Sequence, residues 1–228
     1  MRVRVVSILS LTAVTALSIP ACSTASHNPT ASPSAPVAPT SARAGGEALL
    51  PSAALEPLLL DEDDLGSDYT RKNEQPTRYD DVTVLGCPAL DELGGMAATG
   101  GSLALPHKAK ASFTYAGGGS EVSEELYSDS ADKLSDSIGR IIDAMTGCPE
   151  YQVLTGSTAI DITTRKAAAP QLGDEQWSQL LTFSVGGRST VVKQTAVRTG
   201  AVLLIVSGSP ALVDRHLGKA HAKMSAPR

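Results

Sequence analysis

The stretch WSQLLTFSVGGRSTVVKQTAVRTGAVLLIV, residues 177–206, decides the fold. Trp177, Gln179, Leu181, Phe183 and Val185 fall on one side of an extended chain, with Ser178, Thr182 and Ser184 on the other. A period of two is the mark of a strand with one buried face. Gly186-Gly187 follows. A two-residue hairpin turn favours residues that tolerate positive φ, and two glycines supply them. Residues 191–198 return as the second strand. Residues 201–206 are apolar on both faces and read as a central strand. Ser209 then stands where a helix cap belongs, and Pro210 at the first helical position, where its missing N–H does no harm. Val213, Leu217, Ala220 and Met224 form the buried stripe of a helix over residues 210–224.

The pattern extends upstream. Ala111, Phe113 and Tyr115 alternate with Ser112 and Thr114, Gly117-Gly118-Gly119 turns the chain, and residues 122–127 return. Ile160 and Ile162 alternate with Asp161 and Thr163. A helix over residues 131–146 carries Ala131, Leu134, Ile138, Ile141, Ile142 and Met145 at helical spacing, with Ser130 as its cap and Gly147 as its stop. Residues 52–60 are read as a helix capped by Ser52. Asp61 caps a short turn ending at Leu65, and a short helix follows Cys87 with Pro88 at its first position. Consecutive hairpins followed by a helix predict an α+β fold. The expected architecture is a twisted antiparallel sheet of about six strands, helices packed on one face, and one disulfide.

The N-terminus reads as an export signal. Arg2 and Arg4 precede an apolar run over residues 5–19, and Ala21 stands before Cys22. The expected organisation is a lipoprotein signal peptide over 1–21, a lipid on Cys22, a flexible tether over 22–46 and a folded domain over 47–228. An ordinary secretory signal cut near Ala25 is the alternative. A retained span is disfavoured, because the apolar run is shorter than the ~20 residues a membrane helix needs. Pro29, Pro33, Pro36 and Pro39 punctuate the tether, and Arg43 is its only formal charge. Such a segment buries too little apolar surface to offset its ordering entropy, and would span roughly 25–30 Å. An ordered arm packed on the domain is the other reading.

Charge and cysteine count narrow the function. The chain carries a formal charge of −5, and loss of Arg2 and Arg4 makes it more negative. A mildly acidic body argues against a nucleic-acid partner and against binding of anionic lipid heads, so the lipid itself would be the membrane anchor. Cys87 and Cys148 remain after Cys22, and an oxidising compartment allows them one pairing. Two buried free thiols are the alternative. Two isolated cysteines without histidine at ligand spacing do not predict a metal site, and no cofactor is expected.

The search for chemistry finds little. His27 lies in the tether, and His107 stands alone. His216 and His221 are five apart, do not share a helix face, and read as solvated. Gly117-Gly118-Gly119-Ser120 lacks the lysine of a phosphate loop and reads as a turn. Asp61-Glu62-Asp63-Asp64-Leu65-Gly66 has the outline of a calcium loop, but Lys72 occupies the position that requires glutamate. Gly173-Asp174-Glu175 reads as a turn, with a carboxylate in a cleft as the other reading. Nothing in the sequence brings Glu124, Asp161 and Asp174 together, and no enzyme is inferred.

The order of several short motifs carries a resemblance. Leu65-Gly66-Ser67-Asp68-Tyr69-Thr70 follows the first helix, and Cys87-Pro88-Ala89-Leu90 comes next. The strand ending Glu125-Leu126-Tyr127, then Gly147-Cys148, then Leu172-Gly173-Asp174-Glu175 complete it. Residues 48–225 resemble the actinobacterial sensor domains similar to the extracellular part of the receptor kinase PknH, which also occur on free lipoproteins. The resemblance implies an extracytoplasmic α+β domain with a cleft for a ligand and no catalysis. The kinase-linked form has two disulfides, where this chain has cysteines for one and carries no kinase domain. The expected function is a lipid-anchored binding or sensing module whose partner is an unknown envelope ligand or membrane protein. The alternative is an envelope structural or assembly factor acting through protein contacts. A hydrolase using Asp161 or Asp174 is a third reading, to be dropped if those groups lie far apart on the surface.

Overall fold

A strand that is apolar on both faces needs cover on both sides, and that requirement organises this molecule. The computed structural model describes residues 48–74, 82–101, 103–116 and 119–227. The signal, Cys22, the tether, His27, Gly117 and Gly118 lie outside them. The first helices are α1 (Ser52–Leu55), continued by a 3-10 turn (Glu56–Leu58), and α2 (Glu62–Leu65). Strands β1 (Tyr69–Arg71) and β2 (Val82–Leu85) lead to α3 (Pro88–Leu93) and α4 (Gly95–Ala98). The hairpin β3 (Lys108–Tyr115) and β4 (Ser120–Ser128) precedes α5 (Ala131–Gly147). Then come β5 (Glu150–Thr155), β6 (Thr158–Lys166), β7 (Glu175–Val185), β8 (Arg188–Thr199) and β9 (Val202–Gly208), and α6 (Pro210–Met224) closes the chain.

The strands form one sheet in the order β1-β3-β4-β9-β8-β7-β6-β5-β2, and every pairing is antiparallel. The α+β class and its antiparallel sheet are as expected, but among the described residues the sheet has nine strands rather than about six. The three additions are β1, β2 and β5. Two of them are the short edges of the sheet. Residues 186–187 close the β7–β8 hairpin with φ of 56° and 79°, the left-handed values such a turn favours.

Helices pack on both faces, not one. Successive residues of β9 point to opposite sides. Val202, Leu204 and Val206 join a core with Leu55, Val213 and Leu217 beneath α1 and α6. Leu203 and Ile205 join Tyr127, Leu134, Ile138 and Ile142 beneath α5. The two sides are called here the α6 face and the α5 face. The α5 face continues into a third cluster, where Leu90, Met145, Tyr151, Val153 and Ile162 surround the disulfide between Cys87 and Cys148. That bond joins the start of α3 to the end of α5, with a Cα–Cα distance of 5.7 Å.

The helix starts follow the sequence with one exception. Asp61 and Asp64 form a reciprocal capping box on α2. Ser130 and Ser209 occupy the cap positions of α5 and α6 without a side-chain cap bond. Ser52 is not a cap: Pro51 takes that place, and the Ser52 hydroxyl accepts the Lys108 N–H at 3.1 Å, fastening α1 to β3. Among the described residues no helix is long and apolar enough to cross a membrane.

Candidate functional site

Helix α5 covers the α5 face over one end of the central strands and leaves the other end open. A cleft of about 900 Å³ lies there, lined by β3, β4, β9, β8 and the segment after β1. Ser112 on β3 pairs with Ser123 on β4, and Ser123 with Ser207 on β9. Ser207 pairs with Gln194 on β8, and Gln194 with Gln179 on β7. Their sequence neighbours Phe113, Val122 and Val206 face the α6 core, so alternation turns this whole row toward the α5 face. One polar row thus crosses five adjacent strands.

Its outer part is open and its inner part is buried. Ser112, Ser123 and Ser207 line the cleft, and the Ser123 hydroxyl donates to the Ser207 carbonyl at 3.4 Å. Gln194 and Gln179 are buried. Gln179 Nε2 donates to Gln194 Oε1 at 2.9 Å, and Gln194 Nε2 donates to the Gly100 carbonyl at 3.2 Å. Gln179 Oε1 has no partner among the described residues.

The charges around the cleft come in opposed pairs. Lys72 meets Glu121 at 2.6 Å. Lys110 meets Glu125 at 2.9 Å and Glu74 at 4.0 Å. Glu125 also accepts the Tyr127 hydroxyl, whose oxygen takes the Leu103 N–H at 2.9 Å. Tyr127 is fully buried beneath α5. A hydrogen-bonded chain therefore runs from the cleft into the α5 core.

The carboxylates singled out in the sequence do not converge. Asp161 is exposed on β6, where it accepts from Gln152 at 2.8 Å, and its cross-strand partner is Ser184. Asp174 stands ten residues away from Ser184 along the chain of β7, roughly 30 Å at strand rise. Glu124 points into the α6 core. The hydrolase reading is dropped on this placement. Gly173-Asp174-Glu175 is a strap across the end of β8 rather than part of the cleft. The Asp174 N–H donates to the Arg198 carbonyl at 2.7 Å, and the Arg198 guanidinium reaches Glu175 at 2.9 Å and Asp174 at 3.1 Å. Gly173 has φ of 64°, and a Cβ there would lie 2.6 Å from Thr199 Oγ1, so the strap admits only glycine without displacement.

The histidines also depart from expectation. His216 is buried, with Nε2 2.6 Å from the Tyr69 hydroxyl and its ring edge-on to Tyr69. Burial pushes its pKa down, and the charges of Arg215 and Lys219 add to that. His221 is half-buried, 3.1 Å from Thr199 Oγ1, and burial lowers its pKa too. Neither is the solvated residue expected, because the buried stripe of α6 is two columns wide and includes Leu212 and His216. His107 precedes β3, and its carbonyl accepts the Ser128 N–H at 3.0 Å.

The acidic turn is a capped turn. Lys223 reaches Asp61 at 2.9 Å and Asp64 at 2.5 Å, and Lys219 reaches Asp64 at 3.3 Å. The Lys223 ammonium holds the Asp61 carboxyl below the usual carboxylate range. Among the described residues no group of three His, Cys, Asp or Glu side chains is placed to hold a metal. Glu124 is the perturbed carboxyl: burial raises it to about 7, against the hydrogen bond it accepts from the Leu60 N–H at 2.8 Å. Its other oxygen, Oε1, has no partner among the described residues.

No protein-family model matches the chain, and no curated protein does either. Solved structures do. The extracellular domain of PknH from Mycobacterium tuberculosis superposes with a TM-score of 0.56 at 14% identity, covering 78% of this chain and 96% of that one. An uncharacterized protein from Mycobacterium smegmatis, the Rv0999 ortholog, aligns with a TM-score of 0.40 at 12% identity, over 72% of this chain and 93% of that one. The chain shares the fold of the PknH extracellular domain, as its motif order implied.

Proposed function

We propose that this chain is a membrane-anchored extracytoplasmic lipoprotein that serves as a non-catalytic ligand-binding and sensing module. One observation carries the proposal: a cleft of about 900 Å³ on the sheet face opposite the α6 core, at the end of the central strands that α5 leaves open. That volume falls in the range of small-ligand sites, and convergent polar groups line it. The shared fold with an extracellular domain supports the extracytoplasmic setting. The sequence around Cys22 supports the lipid anchor at the outer face of the cytoplasmic membrane. The scattered placement of Glu124, Asp161 and Asp174 supports binding without catalysis. In this scheme occupancy of the cleft is read by a membrane protein partner.

Exposed Val185 and Val191, flanking the β7–β8 turn, favour a second scheme, an envelope assembly factor that works through protein contacts. Amide spectra of the labelled chain, titrated with solubilised envelope fragments, separate the two. The expected result is saturable shifts at cleft residues of β3, β4, β9 and β8. Shifts confined to residues 185–189 of the β7–β8 turn, together with a co-purifying envelope protein, would transfer the function to assembly.

A further inference from the structure

We infer that the cleft takes a neutral, polyhydroxylated ligand, a short stretch of saccharide, seated across the Ser112–Ser123–Ser207 row. The inference rests on the cleft being a ligand site, as proposed above. Adjacent strands lie about 4.8 Å apart, so the row offers three hydroxyls at steps on the scale of one sugar ring. Each hydroxyl both donates and accepts, which matches the dual character of a sugar hydroxyl.

The charges select against other ligands. Among the described residues the lining holds two lysines, Lys72 and Lys110, and two glutamates, Glu74 and Glu121. Each lysine lies against a glutamate, so the described lining presents no net positive field to draw in a phosphate or a carboxylate. The ion pairs instead fix donors and acceptors at the rim for hydroxyl groups to bridge. No aromatic ring is among the described lining residues, so those residues offer a nucleobase no stacking platform. Val191 and Val192 give the C–H faces of a sugar an apolar contact.

The inner end of the row adds a second, independent feature. Gln179 is fully buried, yet its Oε1 has no partner among the described residues. A buried acceptor left open beside Gln194 keeps the polar row continuous past the three serines.

The test uses the labelled chain and five probes: chitotetraose, maltotetraose, galactotetraose, inorganic phosphate, and phosphatidylglycerol vesicles. At least one neutral saccharide is expected to shift the amides of Ser112, Ser123 and Ser207 and to saturate. Ser123→Ala and Ser207→Ala should each weaken that binding roughly tenfold, the loss of about one hydrogen bond. Thr163→Ala, exposed on the α6 face, should leave it unchanged, and the amide spectra of all three variants report whether they fold. The inference is overturned if no saccharide shifts those amides, or if both serine variants bind saccharide as tightly as the parent. Shifts of the same amides by phosphate or vesicles alone mean that the cleft binds ligands of another class. Silence at the cleft with every probe removes the binding site itself.

Discussion

Glu124 makes stability depend on pH in a direction opposite to most carboxylates. The residue is 2% exposed, and burial raises its pKa from the ordinary 4.5 to about 7. Between those two values the folded chain holds a proton that the unfolded chain has lost. Stability therefore falls as pH rises from about 4.5 to about 7 and levels off above, by on the order of 3 kcal/mol in total. Glu124→Gln keeps an acceptor for the Leu60 N–H but cannot ionise. Urea melts of parent and variant at about pH 5 and about pH 8 should show the parent losing stability across the interval and the variant losing much less. Equal losses would assign the slope to another group. His216 acts in the other sense, because a lowered folded pKa costs stability as pH falls below 6.5. The inward placement of both residues was legible. Val122, Glu124 and Leu126 alternate, and His216 stands four from Leu212 and four from Ala220. Side-chain polarity obscured that spacing, since an ionisable residue is normally read as solvated.

At the scale of elements, the disulfide locks two helix ends beside a strand pairing that already brings them close, since β2 before Cys87 pairs with β5 after Cys148. Cys87 and Cys148 are 61 residues apart and pin α3 to the end of α5, over the cluster of Leu90, Met145 and Tyr151. Replacing both with alanine should cost roughly 4 kcal/mol in the chain-entropy account, measured as a lower urea midpoint with an unchanged slope. The parent under reductant should match the double variant, and an undiminished midpoint would show that packing alone holds α3. The interior strands were legible because each alternates over a long span. β1 and β2 were not: with three and four residues, and one buried side chain each, they are too short to show a period. β5 does alternate, with Tyr151 and Val153 buried, and Gly156-Ser157 turns it into β6. That hairpin signal was available and was hidden by the adjoining cysteine. The cleft was not legible at all. Its floor joins serines 84 residues apart in sequence, Ser123 and Ser207, and only the register of β4 against β9 brings them side by side.

At the scale of the whole molecule, two cores share one set of strands. β9 gives Leu204 to the α6 core and Leu203 to the α5 core, and β8 gives Val197 to the first and Ala196 to the second. Neither core can lose its strands without uncovering the other, so the domain should unfold as one unit. The chain has a single tryptophan, and Trp177 packs against the α5 core. Its fluorescence reports that side alone, while far-ultraviolet circular dichroism reports the whole sheet. Leu217→Ala removes a buried side chain from the α6 core, on the opposite face, at a cost of about 2–5 kcal/mol. If the cores are coupled through β8 and β9, the variant should shift the Trp177 transition and the dichroism transition by the same amount. A Trp177 transition that stays in place while the dichroism midpoint falls would show two cores that melt separately. The same coupling bears on the proposed sensing role. The cleft shares β9 and β8 with both cores, and the Glu125–Tyr127–Leu103 bonds tie its edge to the segment beneath α5. A ligand that stiffens the open ends of those strands therefore acts on elements that belong to both sides of the sheet.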